Sequence, residues 1–113
     1  MWPPPNPLPT THLLTDTPAR EVLSQVGTVK TYVLTDRFGL LHLAHWLDED
    51  GEKVRYLLSP TTEELLAQLK RGEISMFEAL RQPHCFLLDE YDSGERALYR
   101  CAFTEIPAEY LPK

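Results

Sequence analysis

Two cysteines, Cys85 and Cys101, are too few among 113 residues for a disulfide framework, and no C-x-x-C spacing offers a zinc or redox site. Basic residues are also scarce. Eleven Lys/Arg stand against seventeen Asp/Glu, for a net charge of -6. Nucleic-acid affinity comes chiefly from Lys/Arg neutralising phosphates, so no direct nucleic-acid partner is expected. No Lys or Arg precedes Arg20, and five prolines fall among the first nine residues. That start has neither the charged region nor the apolar region of a secretory signal, which predicts a cytoplasmic chain. The longest apolar stretch, Phe38 to Leu47, is interrupted by Gly39 and two histidines and falls far short of the roughly 20 residues needed to span a bilayer, so no membrane role is expected. The five glycines occur singly, so no phosphate-cradling loop exists.

What is present reads as one domain. A chain of this length buries enough surface for a single core without metal or disulfide support. Residues 1–18 are Pro- and Thr-rich, a composition that favours extended polyproline II and reads as a tail without a core, and residues 19–113 read as the folded unit. Strands are predicted from Thr28 to Thr35, from Leu40 to Asp48, and from Lys53 to Leu58. The second alternates Leu41, Leu43, His45 and Leu47 against His42, Ala44 and Trp46. Asp48-Glu49-Asp50-Gly51 is read as a hairpin turn in which Gly51 takes positive φ.

Ser59-Pro60-Thr61-Thr62-Glu63-Glu64 supplies hydroxyl caps and two carboxylates at the positive end of a helix running to Lys70, and Gly72 follows as its stop. Ser75-Met76-Phe77-Glu78 is a capping box for a short second helix that Pro83 ends. Two further strands, His84 to Tyr91 and Glu95 to Phe103, flank Asp92-Ser93-Gly94. A three-residue loop with Gly last fits a type I turn and bulge, which pairs residues whose numbers sum to about 186 and sets Cys85 opposite Cys101. A two-residue loop would instead separate them, and whether the sulfurs are bonded stays open at this point. The predicted fold is α+β: a mainly antiparallel five-stranded sheet in the order β-β-β-α-α-β-β, with a short helical pair on one face.

Chemistry is sparse. His42 and His45 are three apart on a strand and point to opposite faces, so they cannot share a metal ion. His45 lies with leucines and is the better base if a carboxylate adjoins it. Asp48, Glu49, Asp50 and Glu52 look like part of a calcium loop but lack its remaining ligands. Asp89, Glu90, Asp92 and Glu95 face Arg96 and Arg100, which cross-strand pairing explains. Ser59, Ser75 and Ser93 sit at caps and turns, so no nucleophile with its base is visible, and neither catalytic residue nor metal nor cofactor is assigned. Pro3-Pro4-Pro5-Asn6-Pro7-Leu8-Pro9 holds P-x-x-P spacings, and Trp2 beside it offers an apolar anchor. Trp2, Pro4, Pro7, His45 and Trp46 are therefore the candidate interaction residues.

The run Gly39-Leu40-Leu41-His42-Leu43-Ala44-His45-Trp46-Leu47-Asp48-Glu49, then Tyr56 to Leu65, then Gly72-Glu73-Ile74-Ser75 with Glu78-Ala79, resembles a small bacterial family of unknown function over about residues 27–90. The resemblance implies a bacterial protein and a shared fold, and it brings no catalytic residues. The chain departs from that pattern at His45, where an aliphatic residue is expected, and in its proline-rich start. The expectation is a non-enzymatic, cytoplasmic protein-interaction or regulatory module, with self-association through a sheet edge or face as one form of it. The alternatives are an antitoxin-like or anti-defence inhibitor that binds a protein target, and a small hydrolase or nuclease-like enzyme with His45 or His42 as base and acids from the Asp48 to Glu52 turn.

Overall fold

The computed structural model describes residues 2–4, 6–15, 18–27 and 29–112. Seven strands form one antiparallel sheet: β1 (Pro7–Leu8), β2 (Glu21–Val26), β3 (Val29–Thr35), β4 (Leu41–Glu49), β5 (Lys53–Pro60), β6 (His84–Tyr91) and β7 (Arg96–Ala102). Their spatial order is β1-β7-β6-β5-β4-β3-β2. Two helices, α1 (Glu63–Lys70) and α2 (Met76–Leu80), fill the β5 to β6 connection. The α+β class holds, but the five-stranded sheet is corrected to seven.

The two extra strands have different origins. β2 pairs with β3 through a tight turn in which Gly27 has φ +61°, a conformation that costs glycine nothing. Thr28, placed above at the start of a strand, lies outside the described residues. β1 comes from the proline-rich start: Pro7 lies opposite Tyr99 and Leu8 opposite Leu98. Proline lacks the N–H a central strand needs, so an edge is where such a strand fits. Met1, Pro5, Asp16 and Thr17 of that segment lie outside the described residues.

Elsewhere local chemistry decides the structure. Thr62 accepts a hydrogen bond from the Leu65 N–H and caps α1. Ser75 and Glu78 complete their capping box at α2. In the last hairpin the Tyr91 N–H donates to Glu95 O at 2.9 Å and Gly94 takes φ +89°, so the register sum is 186 and Cys85 faces Cys101. Gly51 does not have positive φ. Asp50 Oδ1 accepts from the Glu52 and Lys53 N–H groups at 2.8 and 3.0 Å, and this side-chain closure makes the turn without it.

The strands bury both faces. Val33, Leu43, Leu57, Leu87 and Cys85 pack beneath Leu66 of α1 and Ala79 and Leu80 of α2. On the second face Tyr32, Leu34, Ala44, Tyr56, Leu58, Leu88 and Leu98 pack against Leu13 and Leu14. Those two leucines follow a single 3₁₀ turn at Thr10–His12, so the segment read as a tail covers this face and contributes to its core. Each buried leucine contributes about 1.5–3 kcal/mol of transfer free energy, which offsets part of the cost of ordering the segment, and its prolines lower that cost by restricting the unfolded chain.

Candidate functional site

The two ends of the sheet differ. Two residues of β1 lie along β7, while among the described residues β2 pairs only with β3 and ends the sheet. An unpaired edge presents backbone N–H and C=O groups to solvent and accepts another strand unless it is blunted. β2 is six residues long, and Val22 and Val26 on it are 49% and 81% exposed, with Val29 next across the turn at 43%. Its bulge between Val22 and Ser24 turns Leu23 toward the helix face.

There Leu23 and Ser24 line a groove of about 370 Å³ with Leu69 and Lys70 of α1 and Met76 of α2. Two ion pairs join α1 to the edge. Lys70 Nζ lies 2.8 Å from Glu21 Oε1, and the Arg20 guanidinium pairs with Glu63. Both pairs are exposed and screened by solvent, so they add little to stability, and they lie beside the groove. The site thus combines an open strand edge with a largely apolar groove.

The other end of the first face is sealed by charge. Arg55 and Asp89, 1% and 0% exposed, form a bidentate pair in which Nε donates to Oδ1 at 2.6 Å and Nη2 donates to Oδ2 at 2.7 Å. Lys53 Nζ donates to the same carboxylate at 3.0 Å, and Arg55 Nη1 donates to the Trp2 carbonyl. The indole of Trp2 covers the guanidinium at 4.8 Å and stacks on Tyr110 at 4.5 Å between ring centres. Asp89 was read from sequence as a partner of Arg96 and Arg100, but it points to the opposite face. Glu90 is the residue opposite Arg96. The missed signal is parity: Arg55 alternates in phase with Leu57, and Asp89 in phase with Leu87 and Cys85, so opposite charges sit on apolar faces of two strands.

Of the five candidate interaction residues, Trp2 is half-buried and packs over Arg55 and against Tyr110. Pro7 lies on β1, opposite Tyr99, and Pro4 is half-buried in the stretch before it. Trp46 packs on the second face, opposite Tyr56, with its Nε1 buried and without a hydrogen-bond partner. His45 is half-buried with Nδ1 2.8 Å from Thr31 Oγ1, directly across on β3, and burial pushes its imidazole below the ordinary value.

His42 and His45 do take opposite faces. His42 Nε2 is 2.8 Å from Asp36 Oδ2 in the interior. Burial works against ionisation of Asp36, but hydrogen bonds from His42 and from the Leu40 and Phe38 N–H groups outweigh it and hold that carboxyl below its usual range. Asp48 and Asp50 of the acidic turn accept from neighbouring backbone N–H groups. Cys85 and Cys101 are free, buried thiols bonded to the Gln82 and Ala102 carbonyls at 3.3 and 3.2 Å, and burial, with Glu105 nearby, pushes Cys101 up to about 11. Among the described residues no group of three or more His, Cys, Asp or Glu side chains is placed to hold a metal ion, and no helix is long and apolar enough to cross a membrane.

Comparison of the chain with protein-family models, curated proteins and solved structures finds no match.

Proposed function

We propose that the protein is a non-enzymatic interaction module of the bacterial cytoplasm that binds another polypeptide by adding an extended segment of it along β2. The observation that carries this reading is the asymmetry of the sheet: six residues of open edge with exposed valines adjoin an apolar groove, while the chain closes its other edge with its own start. Strand addition draws affinity from main-chain hydrogen bonds and selectivity from pockets that accept alternate side chains. The groove of Leu23, Leu69 and Met76 supports an apolar residue on the incoming strand. Two chains of net charge -6 repel, which favours a neutral or basic partner over a second copy.

Charging the edge tests this. The full-length chain and the double variant Val22→Lys, Val26→Lys are each recovered from the native host, and their stoichiometric partners are compared. Both valines are exposed, so the variant folds as the parent does. A partner held by the parent and lost by the variant is expected. A partner held equally by both, or none held by the parent, overturns the proposal, and a concentration-dependent dimer that the variant abolishes would make the occupant a second copy.

A further inference from the structure

Among the described residues the large hydrophobic side chains that stand exposed are Val22, Val26, Val29, Phe38 and Leu40. All fall within residues 22–40, on the β2 side of the sheet. The valines belong to the edge described above, whereas Phe38 and Leu40, 67% and 64% exposed, occupy the turn between β3 and β4. That turn is held from beneath. Asp36 Oδ1 accepts from the Phe38 and Leu40 N–H groups at 2.8 and 3.0 Å, and Asp36 Oδ2 lies 2.8 Å from His42 Nε2, both residues being buried. The Asp36 N–H donates to the Leu40 carbonyl at 2.8 Å, and Gly39 takes φ +82°, which glycine adopts without strain. From the side, the Arg37 N–H donates to the Leu13 carbonyl at 2.9 Å, and Arg37 Nη1 donates to the Thr11 carbonyl at 2.6 Å. A turn ordered before contact gives up little conformational entropy on binding, which suits an exposed aromatic such as Phe38 to the part of an anchor.

The turn lies at the same end of the sheet as the start of β2. Glu21 pairs with Val33, the Arg20 N–H donates to the Val33 carbonyl at 2.7 Å, and Asp36 follows three residues later, about 10 Å on. The edge itself is small. Its six residues give a strip about 20 Å long and about 10 Å deep, against roughly 800 Å² that each partner buries in a stable complex. A partner added along β2 therefore needs further surface, and the turn offers it beyond the Glu21 end. The net charge of -6 opposes the anionic lipid surface that could otherwise take such a tip. We infer that Phe38 and Leu40 form a plug that enters an apolar pocket on the folded body of the same protein whose extended segment joins β2. The plug rests on the strand-addition reading for its partner, and it narrows that partner to a folded protein with an apolar pocket beside a free strand.

Photo-crosslinking in the native host tests it, with Phe38→p-benzoylphenylalanine and Val26→p-benzoylphenylalanine in separate full-length chains and mass spectrometry to identify the captured residues. One protein captured at both positions, through apolar pocket residues at position 38, is expected. Once purified, that protein is expected to bind the double variant Phe38→Ser, Leu40→Ser about tenfold or more weakly than the parent. Both side chains face water, so the double variant folds as the parent does, and an unchanged thermal midpoint checks this. Capture from position 26 alone, or an affinity unchanged in the double variant, overturns the plug and leaves strand addition standing. Capture from position 38 alone overturns strand addition and with it the shared partner, and capture at neither position, or of different proteins, overturns both. Sedimentation of the parent with vesicles of phosphatidylcholine and phosphatidylglycerol, lost in the double variant, would make the turn a lipid anchor and overturn the plug.

Discussion

Along β7 the sheet ends under two residues of β1, with Pro7 opposite Tyr99 and Trp2 pressed over Arg55, whereas along β2 it ends on six residues whose valines face solvent. Both edges belong to one sheet and face the same hazard of unwanted pairing. The first is closed with a segment that cannot extend a ladder, because proline lacks an N–H, and that segment is anchored by a buried charge cluster. The second has no such cover among the described residues, and its bulge and two surface ion pairs lie beside a groove.

The largest effect should come from breaking the anchor of the closed edge. Asp89→Ala strands the Arg55 guanidinium in the interior and is expected to cost about 3–5 kcal/mol in urea unfolding, since the buried charge still bears its desolvation penalty but has lost the partner that offset it. Trp2→Ala comes next. It removes the ring over Arg55 and the stack on Tyr110, for a loss of about 2–3 kcal/mol and faster amide exchange in β7 than in β4. If exchange rises equally everywhere, the anchor is not local to that edge.

These two residues also show where sequence reasoning stops. The last hairpin was legible to the register, because Gly94 and a three-residue loop determine which residues meet. The capping hydroxyls of Thr62 and Ser75 were equally legible, since each acts within three residues. Arg55 and Asp89 are 34 apart with both helices between them, and Arg55 and Trp2 are 53 apart, so no local turn sets their alignment. β2 was missed because Ser24 and Gln25 interrupt its apolar pattern, although Gly27 between two valine-bearing runs was the signal for its hairpin. β1 was missed because a proline-rich composition reads as solvated chain, and only the presence of a ready edge makes two of its residues a strand. Of the candidate site the valines were in plain view, but their exposure depends on which strand ends the sheet.

A smaller effect tests the half of the sheet nearer β2. Burial lowers the His45 imidazole, so the unfolded chain binds more protons there than the folded one. The resulting stability is complete above the unfolded value of about 6.5 and is lost as pH falls toward the folded value. The thermal midpoint should drop between about pH 7.5 and about pH 5.5, and His45→Gln should flatten that slope. An unchanged slope would place the acid sensitivity elsewhere. Smallest of all is the stability change in Val22→Lys, Val26→Lys, expected within about 0.5 kcal/mol because both side chains already face water.

The measurement that bears most directly on strand addition is amide hydrogen exchange of the full chain, alone and with the partner that co-purifies with it. Protection gained along Glu21–Val26, with Arg96–Ala102 unchanged, is the predicted result. Protection gained along β7 with β2 unchanged would mean that the partner displaces the proline-rich start, and the account of the open edge would be wrong.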